Sequence, residues 1–370
     1  MSILILQDFS RFFPDFHMPV KKAFLVFWVL CVFQLLPVAI NADDKAPREK
    51  VIVYNWSEYI AEGVLEGFTK ETGIEVEYST YDNNEIMLAR LEVLRGRGYD
   101  VVVPSTYMVK KMADEGLIQK IDKNKLENFS NLDPNLLNKS YDPDNKYSIP
   151  YLWGSTGIAL DRNTYDGVKL EKWADLLDAR WKNKLVMLDD MRDVFTIGLK
   201  AGGFSINSKD EDEISEAYFY LEKLTENVKL YSGNPQEEFL SKNADVGLIW
   251  NGDAVVAKEE IPGIDFIYPK EGVSFWADNF VIPARAKNVW NAHKFIDYML
   301  RPEVAALSTK DLGYATPNIA GKSLLDKETR NNKTIFPPAE VVNMSEFQES
   351  VDDAREIYEI YWAKLKTIKK

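Results

Sequence analysis

An alternation of strand-like and helix-like segments, beginning at about Val51, leaves few folds open to this chain. The segments "EKVIVYNW", "IEVEYSTY" and "YDVVVPS" have the apolar, β-branched composition of buried strands. The segments "AEGVLEGFTKETG", "NEIMLARLEVLRG" and "TYMVKKMADEG" have helical periodicity, and the first is expected to end at Gly73. Strands separated by helices build βαβ units, so the sequence predicts an α/β fold with a parallel sheet.

The same alternation returns after a loop-rich segment, "NFSNLDPNLLNKSYDPDNKYSIPYLWG". Strands are expected at "TGIALD", "KLVMLDD" and "ADVGLIWN", and helices at "RDVFTIGLKAGG" and "EDEISEAYFYLEKLTENV". A long helix broken at Arg301-Pro302 and an amphipathic helix close the chain. Two α/β units predict two lobes around a cleft, with a ligand beyond the carboxyl ends of the strands.

The first 42 residues have the pattern of an export leader. Lys21 and Lys22 precede the apolar run "AFLVFWVLCVFQLLPVAI", and cleavage is expected near Ala42. The residues ahead of Met18 are interpreted as an upstream extension of the reading frame. The alternative is an anchor that stays in the membrane, because the apolar run is about long enough to span a bilayer.

The composition argues against several kinds of catalytic, metal-binding and nucleic-acid-binding site. Cys31 is the only cysteine and lies in the expected leader, so the remaining chain can supply neither a disulfide nor a thiol nucleophile. His293 is the only histidine outside the leader, which argues against a histidine triad or a multi-histidine metal site. The formal charge of −13 argues against nucleic acid and is compatible with a cationic ligand. The sequence has no EF-hand spacing and no dinucleotide fingerprint, so neither a metal nor a cofactor is expected.

The segment "SFWADNFVIP" combines an aromatic residue with an acidic one. Trp276 and Asp278 are two apart in a predicted strand, so they face the same side, although strands generally exclude aspartate. Trp250 ends a strand in "ADVGLIWNGDAV", and Asp253 follows it at the start of a helix. Tyr314 lies in a loop bounded by glycine and proline.

Other residues at strand ends also have a purely structural interpretation. Ser57 is a suitable N-cap for a helical turn that would put Trp56 and Tyr59 on one face. Ser105 is expected to cap the next helix, at whose start Tyr107 lies.

The aspartates that follow "KLVML" can be explained in the same way. Asp190 is expected as an N-cap and Asp193 in the first turn of a helix. If Asp189 is the cap instead, Asp190 is free for a ligand.

Taken together, the strand ends carry the combination of groups that recognises amines. Ring faces attract ammonium groups and cover methylenes, and carboxylates accept charge-assisted hydrogen bonds. Two further interpretations stay open: a receptor for another cation, such as a quaternary amine, and a tryptophan-rich glycoside hydrolase. A hydrolase would use Asp190 with Asp193, or Asp253 with Asp278, as its acid and base.

At these residues the chain closely resembles the periplasmic spermidine/putrescine-binding proteins of bacterial ABC transporters. The resemblance runs from about Val51 to the C-terminal helix and is carried by "VYNWSEYI", "YDVVVPSTYMV", "IDKNKLENFSNLDPNLLN", "YSIPYLWG", "LIWNGDA", "YPKEGVSFWADNFVIPA" and "GYATPN". It implies a two-lobed periplasmic binding protein fold of type II, with two crossover strands and the ligand in the interlobe cleft. The implied first lobe is 48–154 with 277–322, and the implied second lobe is 155–276 with 323–370.

The resemblance also implies a function without catalysis: a monomeric periplasmic receptor that delivers a polyamine to inner-membrane permease subunits. By position, Trp56 and Tyr59 would frame one end of the ligand, and Asp278 would bind a central nitrogen. The other implied contacts are Ser105 and Tyr107 in the same lobe, Asp190 and Asp193 at ammonium ends, Trp250, Trp276 and Tyr314 along the methylenes, and Gln348 at a terminal amine.

Two departures from the family pattern leave the preferred polyamine open. Members that prefer spermidine commonly have glutamate where this chain has Asp193, and a small polar residue where it has Asp253. An acidic residue at the second position resembles putrescine-selective relatives, and Asp253 would either bind an amine or shape the wall. A polyamine sensor that docks on a membrane signalling receptor is an alternative on the same scaffold.

Overall fold

The computed structural model describes residues 49–368, so the expected leader and its cleavage near Ala42 lie outside the described residues. None of the helices within that range is both long and apolar enough to cross a bilayer.

The described residues alternate between strands and helices along most of their length. The strands are β1 (Lys50–Trp56), β2 (Glu75–Tyr81), β3 (Val101–Val102), β4 (Ile118–Gln119), β5 (Ser148–Asp161), β6 (Leu185–Leu188), β7 (Val228–Ser232), β8 (Val246–Trp250), β9 (Ile264–Ile267), β10 (Ser274–Pro283) and β11 (Glu346–Phe347). The α-helices are α1 (Val64–Thr72), α2 (Asn84–Leu94), α3 (Thr106–Asp114), α4 (Met191–Gly202), α5 (Glu211–Leu224), α6 (Pro235–Leu240), α7 (Asn251–Glu260), α8 (Val289–Met299), α9 (Pro302–Leu312), α10 (Ile319–Leu324), α11 (Lys327–Asn331), α12 (Ala339–Met344) and α13 (Arg355–Ile368).

The sheet consists of two similar halves that meet at two long strands. Its order is β2-β1-β3-β10-β5-β8-β6-β7, with β4 and β11 on β10 and β9 on β5. β1 is parallel to β2 and β3, and β6 is parallel to β7 and β8. β10 is antiparallel to β3, β5 is antiparallel to β8, and β5 and β10 run antiparallel to each other. These two strands are the crossover strands, and the predicted two-lobed α/β fold is confirmed.

Separate hydrophobic cores lie in the two lobes. In the first lobe Phe68 and Phe295 are fully buried together, with ring centroids 5.4 Å apart. In the second lobe Phe195 and Tyr358 pack in the same way at 4.9 Å. Both crossover strands supply residues to both sets of cores. The lobe boundaries at 154/155, 276/277 and 322/323 stay predictions.

The first half of β5 lies in a segment that the sequence predicted to be a loop. β5 contains Pro150, which cannot donate a ladder hydrogen bond. The register against β10 shifts here, because Asp278 pairs with Leu152 while Asn279 pairs with Pro150. The bulge leaves Tyr151 without a direct partner in the pairing and accommodates the proline within a long strand.

The predicted helical turn at Ser57 is wrong. After β1 the chain makes a turn in which Glu58 has a φ of 50°, and α1 begins only after Gly63, whose φ is 75°. The predicted end of α1 at Gly73 is confirmed, since its φ is 73° and its N–H bonds to the Thr69 carbonyl. The break at Arg301-Pro302 is also confirmed, because α8 ends at Met299 and α9 begins at Pro302.

Candidate ligand-binding cleft

The cleft has an empty volume of about 650 Å³, part of which opens to solvent. The structure brings all twelve residues of the predicted site to its wall, and their contact with a ligand stays a prediction. They are Trp56, Tyr59, Ser105, Tyr107, Asp190, Asp193, Trp250, Asp253, Trp276, Asp278, Tyr314 and Gln348.

Asp278 occupies the bulged part of β10, and its side chain is held from the first lobe. The Ser105 hydroxyl donates to Asp278 Oδ1 at 2.6 Å, and Asn84 Nδ2 donates to Ser105 Oγ at 3.1 Å. Asp278 is buried, and burial raises its pKa to about 7. The prediction that the Ser105 side chain caps α3 is wrong, because its hydroxyl makes no capping bond.

The Trp276 ring packs against β5 at Gly154, where the missing side chain leaves room for it. A Cβ at position 154 would come within 2.7 Å of the indole and 2.4 Å of Asn251 Oδ1. The indole Nε1 donates to Thr156 Oγ1 at 3.3 Å. Trp276 and Asp278 therefore both line the cleft from one strand, as their spacing predicts.

Asp193 is the most extensively hydrogen-bonded carboxylate of the cleft. Trp250 Nε1 donates to Oδ2 at 2.8 Å, and Ser274 Oγ and Gln348 Nε2 both donate to Oδ1 at 3.0 Å. Burial raises the pKa of Asp193, and the donors oppose the rise. Thr156 is a further hydrogen-bonding neighbour of Asp193 and also opposes the rise of its pKa.

Asp190 is the N-cap of α4, as the sequence predicts, and accepts from the Asp193 N–H at 3.0 Å. Burial, followed by the charge of Asp193, raises the pKa of Asp190 well above its ordinary value. The alternative with Asp189 as the cap is wrong, because that side chain accepts from Lys366 Nζ at 2.5 Å. Asp190 lines the cleft while it caps the helix.

Asp253 lies in the first turn of α7 beneath Tyr314. The Tyr314 hydroxyl donates to Asp253 Oδ1 at 2.5 Å, and burial raises the pKa of Asp253 to about 7. A Cβ at Gly252 would come within 2.5 Å of the Tyr314 ring, so glycine at this position allows the ring to reach the carboxyl.

Aromatic side chains from both lobes form a continuous wall between these carboxyls. The Tyr314 ring lies edge-on to Tyr59 at 5.3 Å and to Trp276 at 5.4 Å. Trp56, at the end of β1, faces Trp250, at the end of β8, with centroids 6.3 Å apart. The Tyr59 hydroxyl is buried beside Asp278, and burial followed by the charge of Asp278 raises the pKa of Tyr59 well above its ordinary value.

The cleft is strongly acidic and has no cationic counterpart of its own. No lysine or arginine is among the described residues that line it. Arg192 lies behind the Tyr107 ring and donates to the Glu349 carbonyl at 2.8 Å and to Asn207 Oδ1 at 2.9 Å. Burial raises the pKa of all four carboxyls, and the charge of Arg192 opposes the rise for Asp190 and Asp193 without cancelling it. A cation that enters the cleft would lower the pKa values of these carboxyls again.

Seven further residues line the cleft that the sequence interpretation did not single out. Two groups of them follow strands whose carboxyl ends were not searched: Tyr81 and Asp82 at the end of β2, and Gly233 and Asn234 after β7. The carboxyl-end rule applied to every strand would have found them. The full set is Ser57, Glu58, Tyr81, Asp82, Gly233, Asn234 and Gln236.

The acidic groups are not arranged as a metal site. Residues 49–368 contain no group of three or more His, Cys, Asp or Glu side chains that could hold a metal ion.

Together the two lobes, the crossover strands and the enclosed cleft define a binding protein that closes on a small solute. The chain belongs to the bacterial extracellular solute-binding protein family, whose model matches residues 64–337. This is a family of solute-binding proteins and not of enzymes.

Similarity to individual relatives extends over most of the chain and confirms the resemblance seen in the sequence. The chain is 48% identical over 329 residues to the spermidine/putrescine-binding periplasmic protein of Escherichia coli (strain K12), covering 89% of this chain and 94% of that protein. It is 35% identical over 326 residues to the putrescine-binding periplasmic protein PotF of the same organism, covering 82% and 88%. The solved structure of the spermidine/putrescine ABC transporter substrate-binding protein PotD from Streptococcus pneumoniae matches with a TM-score of 0.73 at 37% identity, covering 87% and 100%.

Proposed function

We propose that this protein binds a linear polyamine, spermidine or putrescine, in the interlobe cleft and delivers it to an ABC permease. The observation that carries the proposal is a set of four buried carboxyls along an aromatic wall, with no lysine or arginine among the described residues that line the cleft. Protonated nitrogens would neutralise the carboxyls while the rings cover the methylenes between them. The printed names of the relatives support the same ligand class.

The carboxyls are assigned to different parts of the ligand. Asp190 and Asp193 receive one ammonium end, with Gln348 beside them as a further hydrogen-bonding group. Asp278 binds a central nitrogen, and Asp253 with Tyr314 forms the wall toward the other end, where Trp56 and Tyr59 frame the ligand. Glutamate is one methylene longer than Asp193, so the space left here affects the preferred ligand length.

Delivery follows from closure of the lobes around the bound cation. Each lobe contributes polar groups to the ligand, so the bound state favours the closed arrangement through differential contacts. We place the protein in the periplasm, with its leader removed near Ala42, where a monomer would meet the inner-membrane permease.

The proposal includes binding without catalysis. The cleft residues are accounted for by ligand contacts and by one another, and no bond-making step is needed for capture and release. Incubation with soluble glycans should give no hydrolysis, whereas turnover of a glycan would favour the hydrolase interpretation.

A thermal-shift panel tests the proposed ligand class. Putrescine, cadaverine, spermidine, norspermidine and spermine are compared with 1,4-butanediol, which has the length of putrescine but no charge. A specific ligand at 100 times its dissociation constant stabilises the folded state by about 2.7 kcal/mol and raises the melting temperature. A panel without any shift, or a shift equal to that of the diol, would contradict the proposal.

A further inference from the structure

The turns that follow the two outermost strands of the sheet meet at the solvent side of the cleft. β2 and β7 lie at opposite ends of the strand order, one in each half of the sheet. Asp82 follows β2 and is exposed, Gly233 follows β7, and both residues line the cleft. A Cβ built on Gly233 would lie 2.9 Å from the Asp82 Cβ. The two halves of the molecule therefore touch at this point.

The two turns are built in the same way. In each of them a single residue separates the end of the strand from an asparagine that caps the next helix: Asp82 precedes Asn83, and Gly233 precedes Asn234. Both asparagine side chains accept a hydrogen bond from the first turn of their helix, at 2.8 and 3.3 Å. Residues in equivalent positions of the two halves are thus brought into contact.

Further hydrogen bonds fix both turns in place. Ser57 Oγ donates to Asp82 Oδ1 at 2.8 Å, and the Asn234 N–H donates to Ser232 Oγ at 3.1 Å. The Asp189 N–H donates to the Ser232 carbonyl at 2.9 Å. Because each turn is held within its own half, extra volume at the contact would be accommodated by separation of the two lobes.

The contact with Asp82, and not the backbone conformation, requires glycine at position 233. The φ of Gly233 is not positive, so the turn itself is compatible with a side chain. The obstacle to a side chain is the Asp82 Cβ, with the Asp82 carbonyl oxygen next at 3.4 Å. Both atoms belong to or adjoin the main chain, so they cannot turn aside as the tip of a flexible side chain can.

We propose that Gly233 and Asp82 form the closing contact of the cleft, where the missing side chain of Gly233 lets the lobes close fully and thereby slows release of the ligand. The closing contact rests on the proposed function, because it needs a ligand around which the lobes close. A side chain at position 233 would stop the lobes before full closure and weaken the contacts that both lobes make with the ligand. The loss should appear in the dissociation rate more than in the association rate.

The test measures spermidine kinetics in Gly233→Ala by stopped-flow fluorescence of the cleft tryptophans. Release should become about tenfold faster, a change of about 1.4 kcal/mol, while the association rate stays within about twofold. The free energy of unfolding of the ligand-free variant, measured with urea, should equal that of the wild type, because the lobes can separate to accommodate the methyl group. A merely structural role of Gly233 would lower the free energy of unfolding instead.

Two substitutions of Asp82 provide matched backgrounds for the same measurement. Asp82→Ala removes the carboxylate but keeps the Cβ, so the addition of Gly233→Ala should still accelerate release about tenfold. Asp82→Gly removes the obstructing Cβ, so the addition of Gly233→Ala should change release by less than about twofold.

Unchanged release in Gly233→Ala, or the same acceleration in both Asp82 backgrounds, would overturn the closing contact. A Gly233→Ala variant that fails to fold would also overturn it, because the turn itself should tolerate alanine. Wild-type protein that does not bind any polyamine would instead overturn the proposed function, so the two failures are distinguishable.

Discussion

Asp278 is the residue on which ligand affinity should depend most directly. It is buried, its neighbouring donors Ser105 and Tyr59 are neutral, and no basic side chain among the described lining residues neutralises it. Asp278→Asn should weaken spermidine binding by about 2–5 kcal/mol, because one side of a buried charge pair is lost. Isothermal titration calorimetry measures the change.

The matched control for this prediction is Asp166→Asn, at an exposed position away from the cleft. It removes the same charge and should leave affinity unchanged. Wild-type affinity in Asp278→Asn would show that the central nitrogen is bound elsewhere.

The buried carboxyls should also make the ligand-free protein respond to pH. Burial raises the pKa of Asp278 and of Asp253 to about 7, above the ordinary value near 4. A raised folded-state pKa contributes stability that is fully present below pH 4 and lost as the pH rises through 7. The free energy of unfolding of the ligand-free protein should therefore fall by about 1.4 kcal/mol per pH unit for each carboxyl in that range.

Urea denaturation between pH 5 and pH 8 on polyamine-free protein checks the slope. Asp278→Asn should lose the part of the slope that this carboxyl contributes. Saturating spermidine should flatten the curve, because its bound nitrogens stabilise both carboxylates in their charged form. A ligand-free protein that grows more stable from pH 5 to pH 8 would contradict the assignment.

Much of the cleft could be predicted at the scale of residues. All twelve predicted positions line it, because the carboxyl ends of parallel strands meet at one edge regardless of side-chain detail. The hydrogen bond from Ser105 to Asp278 could not be predicted, since it joins residues 173 positions apart through the pairing of lobe and crossover strand. Local spacing predicts that Ser105 caps the helix, but it does not reveal that Asp278, far away in the sequence, accepts the hydrogen bond of the same hydroxyl.

At the scale of elements, the pairing of β5 with β10 decides how the aromatic wall is built. Gly154→Ala would place a Cβ 2.7 Å from the Trp276 ring, and neither strand can retreat without disturbing the sheet. We expect a loss of about 1–3 kcal/mol in the free energy of unfolding together with weaker spermidine binding. Chemical denaturation and calorimetry measure the two effects.

The control variant combines Gly154→Ala with Trp276→Phe, because the smaller phenylalanine ring lacks the indole atoms that would lie closest to the added Cβ. The added alanine should destabilise this background less than it destabilises the wild type. Equal destabilisation in both backgrounds would show that the indole is not the obstacle.

Most of the long elements could be predicted from periodicity, whereas the short strands β4, β7, β9 and β11 were not predicted. Two of the errors have clear physical causes. The start of β5 was missed because Pro150 is typical of loops, and only the bulge against β10 makes it compatible with a strand. The turn at Ser57 was mistaken for a helix start because its serine and aromatic spacing suit a helix. The positive φ of Glu58 is a tertiary feature that this spacing does not encode.

At the scale of the whole molecule, the formal charge of −13 should accelerate capture of a cation. Raising the ionic strength from about 0.01 to 0.15 M shortens the Debye length from about 30 to 8 Å, so the association rate should fall roughly tenfold. The dissociation rate should change little, because the contacts inside the closed cleft are poorly screened.

Stopped-flow measurements at several salt concentrations check this prediction. Spermidine, with three charges, should show a steeper dependence than putrescine, with two. The same slope for both ligands would indicate that the overall field does not steer them.

The lobes themselves could be predicted from the repeated alternation of strands and helices. The contact of the Arg192 guanidinium with the Tyr107 ring across the lobes could not be predicted, because it depends on how two separately folded halves meet.

β10 both joins the halves and carries Trp276 and Asp278. A ligand bound by this strand therefore contacts an element that connects the two lobes, and not one lobe alone. We therefore expect ligands of different lengths to hold the two lobes at different angles. A membrane partner that is sensitive to this angle could then distinguish the protein with its proper ligand from the ligand-free protein.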